Sequence, residues 1–241
     1  MKCNFSYNHY RHILKVALGD NFALTSFRDF EKNKKNSKII ILRHDIDYSP
    51  KKALTLAKIE NKLGIKSTFF VRVHGEYYHP FDRNNFPVLI QIKEMGHEIG
   101  LHTEAKNLSK IFKVDMMKIF LKEKEILEDI FDIQVESAAE HADLDAPKNF
   151  WQDHFFSQVK KIQVGIAHFP QEYQEFRYIS DSRRSWQNGC LCRNLGRYEK
   201  IQLLVHPDLW GEGALEEIDT FIKSNPAIKS KKKYNFASKV T

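Results

Sequence analysis

The chain, 241 residues long, reads as an α/β protein, a distorted (β/α) barrel of about seven parallel strands. Three observations predict this. Short apolar runs alternate with amphipathic stretches through most of the chain. The runs lack the in-and-out alternation of a half-exposed sheet, as strands buried on both faces do. Several of them finish in histidine or carboxylate residues, which an α/β barrel gathers at the C-terminal ends of its strands. Seven or so strands in one domain of this length suit an incomplete barrel; an open doubly wound sheet is the alternative.

The elements follow in order. Residues 5–30 set Tyr10, Ile13, Leu14, Ala17 and Leu18 at helical spacing, a helical preface, and residues 31–37 form a polar loop. Ile39-Ile-Ile-Leu42 is the first buried strand. Ser49 and Pro50 supply an N-cap and a first helical residue. Ala53, Leu56, Ala57 and Leu63 recur on one face behind them, and Gly64 stands where a helix-ending glycine belongs. Residues 67–73 form a strand, 86–95 a helix ended by Gly96, and 98–102 a strand. The longest helix is expected over 109–131, with Phe112, Met116, Phe120, Leu127 and Phe131 on one side. Residues 134–138, 161–167, 176–180 and 201–205 read as further strands, with a short helix from near Pro147 and a last helix over 213–223. The chain thus divides into a preface (1–38) packed on the barrel, a main domain (39–224) and a basic tail (225–241).

Composition narrows the class. With 42% hydrophobic and 29% charged residues, whole-chain disorder, collagen and coiled coil are excluded. No apolar stretch nears the ~18 residues of a membrane span. The first residues lack the unbroken apolar core of a signal peptide, so a cytoplasmic location is expected. The net charge of +7 falls to +2 without Lys229, Lys231, Lys232, Lys233 and Lys239. The tail is therefore read as a solvated end, and nucleic acid is not expected as a partner. Three cysteines, an odd count, argue against a disulfide framework and for a reducing compartment. Cys190-Leu-Cys192 is an isolated pair and reads as structural rather than metal-binding.

The chemistry lies at the strand ends: Arg43-His-Asp-Ile-Asp47, His102-Thr-Glu104, Glu140-His-Ala-Asp143, Ser180-Asp-Ser-Arg-Arg184 and Leu204-Val-His206. Singly, each is an ordinary polar contact or turn former. Jointly, acids and imidazoles converging on one pocket form a candidate metal site.

At these residues the chain resembles the polysaccharide deacetylase family, which shares the NodB homology domain. Arg43-His-Asp-Ile-Asp47, Gly96-His-Glu-Ile-Gly-Leu-His-Thr103 and Leu203-Leu-Val-His206 carry the resemblance, which runs from about Ile39 to Trp210. Within the family the chain is most similar to a His-Asp-x-Asp branch associated with surface-polysaccharide (O-antigen-type) biosynthesis. The resemblance implies a distorted barrel and metal-assisted hydrolysis of an N-acetyl group on an amino sugar, here of a nucleotide- or lipid-linked precursor. It also implies two adjacent aspartates, the first a general base and the second a metal ligand, two metal-binding histidines four residues apart, and a late histidine as general acid.

The chain departs from that pattern twice. Ile46 separates its aspartates, though residues two apart on a strand share a face. Their two roles stay open; in family order Asp45 is the base and Asp47 the ligand. Lys106 stands where the second histidine belongs, and an ammonium has no lone pair for a metal. His141 is the expected replacement, with Glu104 and Glu140 in reserve. The resemblance thus implies a divalent metal, zinc by preference, on Asp47, His102 and His141, with catalytic Asp45 and His206. Arg43, Asp181, Arg184 and Trp210 are expected around the substrate: an arginine on Asp45, Asp181 on His206, and Trp210 or Tyr77 against a sugar ring. The competing readings are a hydrolase of another non-peptide C–N bond and a non-catalytic carbohydrate-binding relative.

Overall fold

The computed structural model describes residues 3–141, 158–159, 161–167 and 175–212. In chain order the elements are α1 (Tyr7–Gly19), β1 (Ala23–Thr25), α2 (Phe30–Asn33), β2 (Ile39–Ile46), α3 (Pro50–Lys62), β3 (Thr68–Val71), α4 (Phe86–Glu94), β4 (Glu98–Thr103), α5 (Ala105–Phe112), α6 (Met116–Phe131), β5 (Ser137–Glu140), β6 (Gly165–Ile166), β7 (Arg177–Ser180), α7 (Leu191–Asn194) and β8 (Lys200–Val205). The strands form one sheet in the order β6-β5-β4-β3-β2-β8-β7, with β1 paired to β2 off that path. Every pairing is parallel, so all C-terminal strand ends lie on one side.

β2 organises the sheet. All eight of its residues are buried, and it pairs with β8 over Ile39–His44, with β1 over Ile39–Ile41 and with β3 over Arg43–Ile46. Its side chains alternate between two layers. Ile40 and Leu42 join Tyr10, Ile13, Leu14 and Ala17 of α1, which are all fully buried. Ile39 and Ile41 point to the other face and meet Phe70 of β3, Ala139 of β5 and Ala167 beyond β6. Side chains from strands so far apart in the order can touch only if the sheet curls. Gln202 of β8 spans the same interior, its Nε2 donating to the Ala167 carbonyl at 2.7 Å. The result is a half-barrel of parallel strands with helices outside, and β6 and β7 do not pair with each other among the described residues.

Local signals explain most of the elements. Ser6 and Ser49 cap α1 and α3 with their hydroxyls, and Pro50 opens α3. Gly64 and Gly96 follow the ends of α3 and α4 with φ of +72° and +86°. The helix expected over 109–131 is two helices, because Lys113 turns left-handed (φ +53°) and Asp115 starts a new helix by accepting from the Lys118 amide at 2.9 Å. That break turns Phe112 outward, 64% exposed, away from the face that Phe120, Leu127 and Phe131 bury. β1 went unread, as three residues carry little periodicity. Its parallel pairing with β2, from Ala23 against Ile39 to Thr25 against Ile41, joins the preface to the sheet. The helices expected near Pro147 and over 213–223, and the tail 225–241, lie outside the described residues. No helix among the described residues is long and apolar enough to cross a membrane.

Candidate active site

The site sits where β2, β4, β5 and β8 end. On β2, Arg43 and Asp45 continue the interior face of Ile39 and Ile41, and Asp47 follows one step beyond the strand. His44 takes the outer face, stacks on Phe69 at 4.3 Å and pairs with Glu60 at 2.7 Å, outside the site. β4 delivers His102, β5 leads into His141, and β8 leads into His206.

These residues, distant in sequence, come together. His102 Nε2 lies 3.4 Å from Asp47 Oδ1 and 3.7 Å from Asp45 Oδ2. His141 Nε2 lies 3.8 Å from Asp47 Oδ1, and His206 Nε2 lies 4.0 Å from Asp47 Oδ2. The His102 and His141 rings stand at right angles, 5.3 Å between centroids. Asp47 Oδ1 is buried and has no hydrogen-bond partner. A buried anionic oxygen left without a donor beside two imidazole nitrogens is a place for a cation. Zinc bonds of ~2.0–2.1 Å in tetrahedral array set ligand atoms about 3.3 Å apart, close to the 3.4 Å and 3.8 Å found around Asp47 Oδ1. Asp47 Oδ1 is thus within reach of either imidazole, and a divalent metal shared by all three residues requires the His102 and His141 rings to close on each other.

Each of these groups is oriented from behind. His102 Nδ1 donates to the Ala139 carbonyl at 2.9 Å, which turns Nε2 toward the aspartates. Glu104, held by Arg72 and by Asn107 Nδ2 at 3.1 Å, lies 2.9 Å from His141 Nδ1. Arg43 grips Asp45 through two bonds, 2.6 Å and 3.1 Å. Asp181, fully buried, accepts from His206 Nδ1 at 2.6 Å, from the His206 amide, and from Trp210 Nε1 at 2.7 Å.

Electrostatics follow from these contacts. Burial alone would raise both aspartates. Arg43, His102 and His206 instead hold Asp45 well below the carboxylate range. The His102, His206 and His141 imidazoles bring Asp47 down to about 2. Burial opposes protonation of His206, but Asp181, with Asp47 and Asp45 behind it, raises it to about 9. Asp208 goes the other way: burial and the charge of Asp47 push it up to about 7.

Three of the residues expected around the substrate are buried. Trp210 is fully buried against Phe5, Tyr10 and Trp186, so no sugar can stack on it. Arg43 and Asp181 are equally buried and present no surface to a ligand. Arg43 bonds to Asp45, Asp181 to His206 and Trp210 to Asp181, all from the buried side. Arg184 stands half-buried at the end of the turn that begins at Ser182, three residues past Asp181. Lys106 is buried and pairs with Glu140 at 3.6 Å. Sequence reasoning missed Arg72 and Asp208. Arg72 follows the apolar run of β3 as Arg43 follows that of β2, and Asp208 follows the histidine motif by two; Asp208 accepts the Tyr48 amide at 3.0 Å and so fixes the turn after Asp47. Tyr48 and Tyr77, half-buried with ring centroids 4.4 Å apart, stand beside that turn.

No protein-family model matches the chain, and no curated protein matches it. Among solved structures it is similar to a CE4 family pseudoenzyme from Bacillus anthracis (16% identity, 78% of this chain and 62% of that one, TM-score 0.49). It is also similar to a polysaccharide deacetylase from Bacillus cereus (13% identity, 80% of this chain and 86% of that one, TM-score 0.49). A third is the chitin deacetylase of the fungal pathogen Colletotrichum lindemuthianum (13% identity, 79% and 81%, TM-score 0.43). The chain spans less than two thirds of the length of the Bacillus anthracis protein.

Proposed function

We propose that the protein is a metal-dependent hydrolase that removes an N-acetyl group from an amino sugar, most naturally a nucleotide- or lipid-linked precursor of a surface polysaccharide handled in the cytoplasm. One observation carries the reading: the partnerless, buried Asp47 Oδ1 beside two imidazole nitrogens, with a charged His206 facing the same carboxylate.

Asp47, His102 and His141 would hold the ion, zinc by preference. When bound, such an ion polarises the acetyl carbonyl and lowers the pKa of a water toward ~7. Asp45 takes the proton of the attacking water. Its bidentate hold by Arg43 keeps it ionised and aimed, at the expense of basicity. His206, protonated at neutral pH and anchored by Asp181, gives a proton to the departing amine. Acetate and the free amino sugar leave. Access is from the side where His141, Asp47 and His206 remain partly open (29%, 18% and 16% of their side chains). Tyr48 and Tyr77 supply the aromatic surface there in place of Trp210.

The test is acetate release from a panel of nucleotide- and lipid-linked N-acetyl amino sugars by the metal-loaded protein. Asp47→Ala and His102→Ala should each lose the metal of this site and lower turnover more than roughly 100-fold. Metal binding undiminished in both variants, or no acetate from any substrate, would overturn the reading.

A further inference from the structure

Every cysteine of the chain lies in one cluster outside the candidate active site. Cys3 precedes α1, His9 lies in the first turn of α1, and Cys190 and Cys192 bracket the start of α7. The fold brings Cys3 Sγ to 3.2 Å from Cys192 Sγ across 189 residues of sequence, and His9 Nε2 to 3.3 Å from Cys190 Sγ. All four donor atoms lie within 4.8 Å of one another, and among the described residues no other group does this. His9 is 2% exposed, and its Nδ1 has no hydrogen-bond partner, so the ring's only polar contact points into the cluster. All three thiols are free.

We propose that Cys3, His9, Cys190 and Cys192 form a structural zinc site. Three sulfurs and one imidazole are a donor set of closed structural zinc, and thiolates disfavour magnesium and calcium. Zn–S bonds of ~2.3 Å and a Zn–N bond of ~2.0 Å, tetrahedrally arranged, set S···S at ~3.8 Å and S···N at ~3.5 Å, against 3.2 Å and 3.3 Å for the two pairs given above and 4.8 Å as the upper bound for all of them. On binding, three thiols release three protons to water, His9 ligates through unprotonated Nε2, and no electron moves. Zinc(II) with three thiolates carries a net charge of −1. No ligand is shared with Asp47, His102 or His141.

The site would clamp the start of the chain to α7, and its position gives that clamp a consequence. Phe5, between Cys3 and His9, stacks on Trp186 at 5.6 Å and meets Trp210 edge-on at 5.4 Å. The His9 ring lies parallel to Trp210 at 6.4 Å. The backbone is tied as well, since the Tyr7 amide donates to the Gly211 carbonyl and the Gly211 amide to that of Phe5, at 2.9 Å and 3.1 Å. Trp210 in turn donates to Asp181, which anchors His206. The cluster therefore braces the wall behind the general acid without touching substrate.

The experiment loads the full chain, purified under reducing conditions, with cobalt(II) in place of zinc. The expected result is a tightly held equivalent that shows thiolate-to-cobalt charge-transfer absorption and tetrahedral ligand-field bands. Asp47→Ala should keep both signals. Cys192→Ser should lose the charge-transfer intensity and weaken zinc binding by more than the ~10–100-fold that outer-shell changes alone bring. His9→Cys, which keeps four soft donors, should retain binding. Should Cys192→Ser fail to fold, the wild-type protein still decides: its three thiols should resist a thiol reagent until a strong chelator removes the metal. A wild-type protein without the charge-transfer band, or thiols that react as fast with metal as without, would overturn the proposal, as would a Cys3–Cys192 disulfide in the freshly isolated protein.

Discussion

Asp181 shows how a buried carboxylate sets the state of a half-open imidazole. It accepts from the His206 ring, the His206 amide and Trp210, and it reaches no solvent. Burial alone would lower the His206 pKa; Asp181 reverses that and raises it to about 9. An acid catalyst works while protonated, so kcat/KM should fall as pH rises through that value. Asp181→Asn removes the charge and keeps the shape. It should move the alkaline limb of the pH–rate profile down toward the ordinary 6.5 and lower kcat with little change in KM. An unmoved limb would show that Asp181 only fills space. Arg43 makes the converse case. Arg43→Met would strand Asp45 in the interior and should cost roughly 3–5 kcal/mol, read as a shifted urea midpoint. Arg43→Met with Asp45→Leu should recover much of that loss, because the penalty belongs to the unpaired charge. The pair of acidic residues two apart was visible in the sequence, whereas the depth at which Arg43 holds one of them was not.

At the scale of elements, the curl of the sheet depends on close approach between β3 and β4. A Cβ on Gly100 would stand 2.6 Å from the Phe70 ring and 3.0 Å from Ser137 Oγ. Gly100→Ala should therefore destabilise by about 1–3 kcal/mol through overpacking, measured by chemical denaturation, and should loosen the register that sets His102 beside Asp47. The break between α5 and α6 rests on a cap. Asp115→Ala removes the acceptor for the Lys118 amide and should cost about 1 kcal/mol. Both features were underread in the sequence. Apolar spacing from Phe112 to Phe131 fits one helix, and periodicity gives no sign of a left-handed Lys113. The caps at Ser49, Gly64 and Gly96 were legible because they are local.

Across the whole molecule, Glu60 ties three layers together. It accepts from Tyr10 of α1, pairs with His44 of β2 at 2.7 Å and accepts from Ser67, just before β3, at 2.5 Å. Burial works to raise its pKa, but His44, His97 and Ser67 outweigh it and leave the folded value below the ordinary 4.5. A depressed folded value means that its stabilisation is present above about pH 4.5 and is lost as pH falls through the folded pKa. Unfolding measured across pH 3–6 should show that loss, and Glu60→Gln should flatten it while costing roughly 3 kcal/mol at neutral pH. The same network, with β1 in the sheet, ties residues 7–25 to the rest of the fold. A chain starting at residue 39 should lose cooperative unfolding, because Ile40 and Leu42 would lose the α1 face that covers them.

The amino-acid sequence by itself determined the alternation of buried strands and capped helices, and the placing of acids and imidazoles at strand ends. These follow from periodicity and capping, which act over a few residues. Only the tertiary structure decided which of those groups meet. The curl of the sheet sets His102 and His141 around one oxygen of Asp47 and buries Trp210 behind His206. The packing of α1 against α7 joins Cys3 and His9 to a cysteine pair that looked solitary. Such contacts span up to 189 residues of chain, and their geometry is a property of how the layers pack, which no local pattern encodes.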